Sequence, residues 1–190
     1  MKSMRLFLLT LFCSLAVGCS ANAVNNGTNA GSPSPIKTPA GPAPVYGFEI
    51  VKTYPHDPNA FTEGLYFKDG FLYESTGQEG KSSLRKVELE TGKVVQKWDL
   101  PREDFGEGIA EVNGKIYQLT YQQGLCRQFD ANDFKLLKEF NYPGEGWGMT
   151  TDGTLLYMTD GTHVIRVMDP ETFKSDRKST RLNSSHLGIS

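Results

Sequence analysis

Three stretches of this chain repeat one another, and the repeat restricts what it can fold into more than any other feature. "FTEGLYFKDGFLY" runs from Phe61 to Tyr73, "FGEGIAEVNGKIY" from Phe105 to Tyr117, and "EGWGMTTDGTLLY" from Glu145 to Tyr157. Gly64, Gly108 and Gly148 align at intervals of 44 and 40 residues, and Tyr73, Tyr117 and Tyr157 align at the same two intervals. Between them lie Asp69-Gly70, Asn113-Gly114 and Asp152-Gly153, dipeptides that suit tight hairpin turns. A second set of echoes, "ELETGK", "DANDFK" and "DPETFK", begins at Glu88, Asp130 and Asp169 and closes each time on Lys. The segments between are short, aromatic and β-branched, as strands prefer. Each repeat reads as strand, turn, strand, loop, strand, turn, strand. Four strands in about forty residues, repeated, is the pattern of a β-propeller blade.

Residues 45–175 have room for about three such blades, whereas propellers close with about four to eight. The opening "VYGFEIVKTY" reads as one extra strand, of the kind that completes a last blade in a closed ring. The ring is therefore expected to be open as written, with unpaired strand edges that favour aggregation.

Corresponding positions of successive blades meet around one axis. Aligning the glycines brings Glu63, Glu107 and Trp147 to the same blade position, so two carboxylates and an indole are expected at one mouth of the central channel. An aromatic wall would desolvate a carboxylate and raise its pKa, which prepares it for general acid/base work. The bland alternative is that these side chains only pin turns, with Trp147 packed between blades.

Outside the repeats the chain changes character. Lys2 and Arg5 precede an apolar run from Leu6 to Val17, too short to span a bilayer and suited to a secretory signal over 1–18. It ends in Ala16-Val17-Gly18-Cys19, which resembles a bacterial lipobox, so Cys19 is expected to carry lipid and to tie an exported protein to a membrane at the periplasm or cell surface. Residues 19–44 are nearly all small or polar and are read as a disordered tether. Residues 176–190, "DRKSTRLNSSHLGIS", read codon by codon as a translated sequencing-library adapter with its index, and are set aside from the fold. The natural reading frame is then expected to continue past Lys174 or Ser175. Without the adapter charges on Asp176, Arg177, Lys178 and Arg181, the formal charge moves from −2 to −4, and without Lys2 and Arg5 to −6. So acidic a domain argues against nucleic-acid binding. Cys126, the one cysteine inside the repeats, is read as a small buried apolar residue. His56 and His163 have no ligand-spaced companions, so neither a metal site nor a cofactor is expected.

With these residues in view, "YPHDPNAFTEGL", "ESTGQEGKSSLRKVELETGKV", "FGEGI", "YQLTY", "GWGMTTDG" and "DGTHVIRVMDPETF" together resemble the propeller-type glutamine cyclotransferases. The resemblance is near-continuous from Tyr46 to Lys174. It implies a five-bladed ring that converts the N-terminal Gln of a peptide or protein to pyroglutamate with release of ammonia, without metal and as a monomer. It also implies that Glu107, in "FGEG", is the catalytic acid/base and that Trp147, in "GWG", walls the substrate pocket. Glu63 stands where the family often has Gln, and Tyr121 where it has Trp; both are expected to line the pocket and bind substrate. The family's lysine and further pocket Asn and Trp residues belong to later blades, so Lys174 is not assigned to them. The alternative function is a non-catalytic propeller that binds a ligand or protein on its channel face.

Overall fold

The computed structural model describes residues 45–175 and the backbone of 180–181. Residues 1–44, read above as leader, lipidated Cys19 and tether, lie outside the described residues, as does the adapter-like tail apart from Thr180–Arg181. The chain divides at Phe48. Of the N-terminal unit only 45–48 are described, as exposed chain without a strand.

From Glu49 onward every described regular element is a strand, and the strands form three four-stranded antiparallel sheets. The first contains β1 (Thr62–Lys68), β2 (Phe71–Thr76), β3 (Ser83–Glu88) and β4 (Val94–Asp99). The second contains β5 (Gly106–Val112), β6 (Lys115–Thr120), β7 (Leu125–Asp130) and β8 (Leu136–Asn141). The third contains β9 (Met149–Thr151), β10 (Leu156–Met158), β11 (Val164–Met168) and β12 (Thr180–Arg181). Each sheet is a simple meander in chain order. These are propeller blades, three among the described residues. β12 pairs with the edge of β11, an edge that offers its backbone groups to any extended segment within reach.

The aligned glycines have a backbone reason. A Cβ on Gly64 would stand 2.7 Å from the amide nitrogen of Ile109, and one on Gly108 would stand 2.4 Å from that of Met149. Each blade's innermost strand lies against the innermost strand of the next, too close for a side chain. The Gly108 N–H also donates to the Trp147 carbonyl at 2.7 Å.

The aligned tyrosines have a packing reason. Tyr73 lies 6.2 Å from Phe134, and Tyr117 lies 6.5 Å from Phe173, ring centre to ring centre. In both cases the tyrosine belongs to one blade and the phenylalanine to the turn of the next. Those turns are the second set of echoes. Glu88, Asp130 and Asp169 each donate an N–H to the carbonyl of the closing Lys93, Lys135 or Lys174. The residue before the closing lysine has positive φ: Gly92 at 69°, Phe134 at 58° and Phe173 at 52°. A left-handed phenylalanine costs about 1–2 kcal/mol, which the burial of an aromatic ring offsets. Phe134 and Phe173 are both buried.

Two apolar clusters result, one at each blade junction. Tyr73, Leu84, Ile109, Ile116, Phe129 and Phe134 fill the first. The second is built around Tyr117, Leu119, Cys126, Phe140, Met158 and Phe173. Cys126 is fully buried there, and burial pushes its thiol well above its ordinary range. Cys126→Ser is expected to lower stability by about 1–3 kcal/mol, because the hydroxyl enters an apolar cluster; a urea titration would read this as a lower midpoint with unchanged slope.

Two sequence expectations need correction. The segment 45–54 forms no strand. A strand exists only with a ladder partner, and among the described residues none offers this segment backbone hydrogen bonds; it is held instead by side chains, with Lys52 paired to Glu90. The third hairpin dipeptide is also out of step. Asp69 and Gly70 have φ of 49° and 84°, and Asn113 and Gly114 of 52° and 73°, the pattern of type I′ turns. In the third blade Met149 pairs with Met158 and Thr151 with Leu156, which puts Gly153 in the place of Asp69. Gly153 alone is positive there, at 92°, and the Thr154 and Leu155 N–H groups donate to the Asp152 carboxylate, so a side chain holds this bend in place of a backbone turn bond.

Candidate active site

The residues at the shared repeat position are turned by backbone irregularities. In β1, Thr62 pairs with Thr76 and Gly64 with Ser75, which leaves Glu63 as an extra residue. In β5, Gly106 pairs with Thr120 and Ile109 with Gln118, again with one residue too many over Glu107-Gly108. Just before β9, the Trp147 N–H donates to the Thr159 carbonyl while the Thr159 N–H donates to the Gly148 carbonyl, so two residues face one. Such bulges re-aim side chains and occur near active sites. Three blades in register, each with a bulge at the same place, deliver their side chains to one opening. Glu63, Glu107, Tyr121, Trp147, Gly148 and Thr159 line a hollow of about 370 Å³. The four pocket residues expected from the sequence are thus brought together.

Each wall is braced from behind. Thr62, which precedes Glu63, donates its hydroxyl to Glu74 Oε1, and His56 Nε2 lies 2.8 Å from the same oxygen. The Tyr121 N–H donates to the Phe105 carbonyl, and the Tyr121 carbonyl accepts from Gly146, which ties the Tyr121 loop to the loop carrying Trp147. Phe105 and Tyr121 sit 6.0 Å apart, ring to ring. The Trp147 indole lies against the backbone of Gly161, where a Cβ would stand 2.6 Å from its Cζ2. Its Nε1–H donates to Glu145 Oε2 at 2.9 Å.

Electrostatics single out Glu107. It is 9% exposed, and among the described residues no hydrogen-bond donor or cation meets its carboxyl. Burial first, then the like charges of Glu63 and Glu145, push its pKa up to about 8. Burial also raises Glu63 above the usual carboxylate range. An aromatic wall was expected to supply the shift, yet Trp147 is 45% exposed. The neighbouring carboxylates are the part that spacing did not reveal. Glu145 in particular was missed, although it stands two residues before Trp147 in "GEGWG" and echoes the Glu-Gly pairs of the other repeats. Among the described residues no three His, Cys, Asp or Glu side chains are grouped to hold a metal ion.

A carboxyl that titrates near neutrality, buried without partners beside an indole, can accept a proton from a bound amine and return it to a leaving nitrogen. Several known proteins resemble this chain in sequence or in fold. The sequence profile of the glutamine cyclotransferase family matches residues 20–186. A glutaminyl-peptide cyclotransferase of Arabidopsis thaliana is 40% identical over 142 residues, which is 73% of this chain and 44% of the plant protein. The crystal structure of Myxococcus xanthus glutaminyl cyclase is 32% identical with a TM-score of 0.64, covering 70% of this chain and 56% of its own. The WD40 domain of Neurospora crassa Pan2, 12% identical with a TM-score of 0.53 over 63% of this chain and 36% of its own, shares the propeller fold alone. The chain thus spans about half the length of the two cyclase relatives. On the profile match and the plant relative, the chain belongs to the glutamine cyclotransferase family.

Proposed function

We propose that the full-length protein is a glutaminyl-peptide cyclotransferase, closing the N-terminal glutamine of a peptide into pyroglutamate, with Glu107 as its acid/base. The observation that supports this most is the Glu107 carboxyl, buried, unpartnered and poised at about 8 on the surface of a hollow walled by Trp147 and Tyr121. The substrate's α-ammonium passes one proton to the Glu107 carboxylate and becomes nucleophilic. Its nitrogen attacks the side-chain carboxamide carbon, the ring C–N bond forms, and the bond to the amide nitrogen breaks. Glu107 gives that proton to the departing nitrogen, which leaves as ammonia, and takes up the second proton that the ring nitrogen loses on becoming the lactam N–H. Nucleophile and electrophile belong to the same residue, so holding the glutamine curled supplies much of the rate through proximity. Trp147 and Tyr121 offer the faces that hold it so, and Glu63 offers an acceptor for the amine. No metal is needed in this scheme.

Incubating the full-length protein with a Gln-initiated peptide is expected to lower the peptide's mass by one ammonia. No mass loss would favour a non-catalytic propeller. The pH profile is a sharper test. A peptide α-amine titrates near about 7.7–8.0, and Glu107 near about 8. The productive complex carries one proton between the two groups. kcat/KM is therefore expected to peak near pH 8 and to fall by about tenfold per unit well to either side. A flat profile from pH 6 to 9 would remove Glu107 from proton transfer.

A further inference from the structure

Glu145 joins two loops, one carrying Trp147 and the other Tyr121, both of which wall the hollow. Its Oε2 accepts the Trp147 indole N–H at 2.9 Å and its Oε1 accepts from the Gln122 amide at 3.1 Å. One carboxylate therefore spans the turn between β6 and β7 and the loop between β8 and β9. It is half-buried, whereas Glu107 is nine-tenths buried and unpartnered on the wall of the same hollow. The described side chains that line the hollow include two carboxyls and no cation. Arg166, which braces the Glu145 loop through the Pro143 carbonyl at 2.6 Å, is already paired with Asp160. Glu145 is close enough to Glu107 for its charge to be felt there, so a peptide held by its first residue against Glu107 brings the charge of its second residue within range of Glu145.

We infer that Glu145 is a specificity-determining residue that selects peptides by the charge following the N-terminal glutamine, favouring a basic or neutral second residue and disfavouring an acidic one. The inference rests on the cyclotransferase reading and deepens it. A fixed negative charge within reach of Glu107 acts through a partly aqueous path. Its effect on a substrate charge is on the order of threefold to tenfold for each sign, and it weakens as added salt shortens the screening length. Hydrogen bonds from Trp147 and Gln122 hold the charge in place, so the effect is directional rather than diffuse.

The test compares kcat/KM of the full-length protein for three peptides that differ only in the second position, Gln-Lys, Gln-Ala and Gln-Glu. Wild type is expected to prefer Gln-Lys over Gln-Glu by about tenfold at low salt, and by less at high salt. Glu145→Gln keeps a carbonyl oxygen to accept the indole N–H while removing the charge, and is expected to bring the ratio to within about twofold. Glu145→Ala removes the acceptor as well. It should level the ratio as Glu145→Gln does and, relative to Glu145→Gln, lower turnover of all three peptides by a similar further factor, which separates indole support from charge selection. An unchanged ratio in Glu145→Gln, or no preference in wild type, would overturn the inference and leave the cyclotransferase reading standing. Absence of turnover on every peptide would overturn that reading and this one with it.

Discussion

Glu107→Gln is expected to lower kcat for cyclisation by about 10²–10⁴-fold, the usual loss on removing a positioned acid/base, with little change in KM. The same substitution should make the protein more stable in alkaline solution. Glu107 has a folded-state pKa raised to about 8 against an ordinary value near 4.5, so the folded state holds a proton that the unfolded chain releases. The stability linked to that proton is complete below about pH 4.5 and is lost as pH rises to about 8. Glutamine has no such proton to lose. The melting temperatures of variant and wild type should therefore diverge from about pH 5 upward, with the gap levelling off above about pH 8. After allowance for solvent reaching the pocket, the gain is about 2 kcal/mol, or about 5 °C in Tm. Rate and melting temperature moving in opposite directions would mark a group kept for chemistry at the expense of stability. A variant that turned over normally, or one that melted lower at pH 8.5, would count against both the role and the electrostatics assigned to this residue.

Gly108→Ala should have the largest effect on the fold. The added methyl would stand 2.4 Å from the Met149 nitrogen, 2.6 Å from the Trp147 oxygen and 2.7 Å from the Gly148 carbonyl carbon, all backbone atoms. None of them belongs to a flexible side chain that could swing away. Relief requires β5 and β9 to separate, which breaks the 2.7 Å bond from the Gly108 N–H to the Trp147 carbonyl and moves the indole relative to Glu107. A loss of about 3 kcal/mol or more is expected, read as a lower denaturant midpoint. Any folded variant should also be impaired in turnover, because the clash lies beside Glu107. Gly114→Ala is the internal control. It has positive φ but nothing within 4 Å of a new Cβ, so it bears only the left-handed backbone penalty of about 1–2 kcal/mol. Equal losses at the two positions would mean that the close approach between blades is not what glycine protects.

The blade pattern could be read from the letters because its causes recur at fixed places. Gly64 and Gly108 repeat where one inner strand touches the next, and Tyr73 and Tyr117 repeat where a ring meets the following blade's turn. Glu63, Glu107 and Trp147 were legible as one site for the same reason, since a repeat in register carries like positions to a common axis; Tyr121 came from the family resemblance alone. Where a local cause replaced the repeated one, spacing misled. The third bend is held by the Asp152 carboxylate with Gly153 at positive φ, which puts the third dipeptide out of step by one, and the apolar 45–54 segment looks like a strand but has no ladder partner among the described residues. Glu145 opens the third aligned stretch, at the position where the other two have Phe61 and Phe105. Its importance depends on a hydrogen bond to Trp147 and on a through-space charge, and neither leaves a periodic trace. The elevated pKa of Glu107 was anticipated in direction, but its causes needed coordinates.

The surplus residue on each inner strand has a consequence for how such a protein can change. A side chain seated on a bulge is uncoupled from the alternation that governs the rest of its strand, so swapping it does not flip any neighbour to the wrong face. Glutamate, glutamate and tryptophan occupy equivalent stations around the opening, and each can be exchanged while the hydrogen-bond ladders behind it stay in step. The opening can be re-equipped one blade at a time, with catalytic invention confined to sites where a new residue asks nothing of the scaffold.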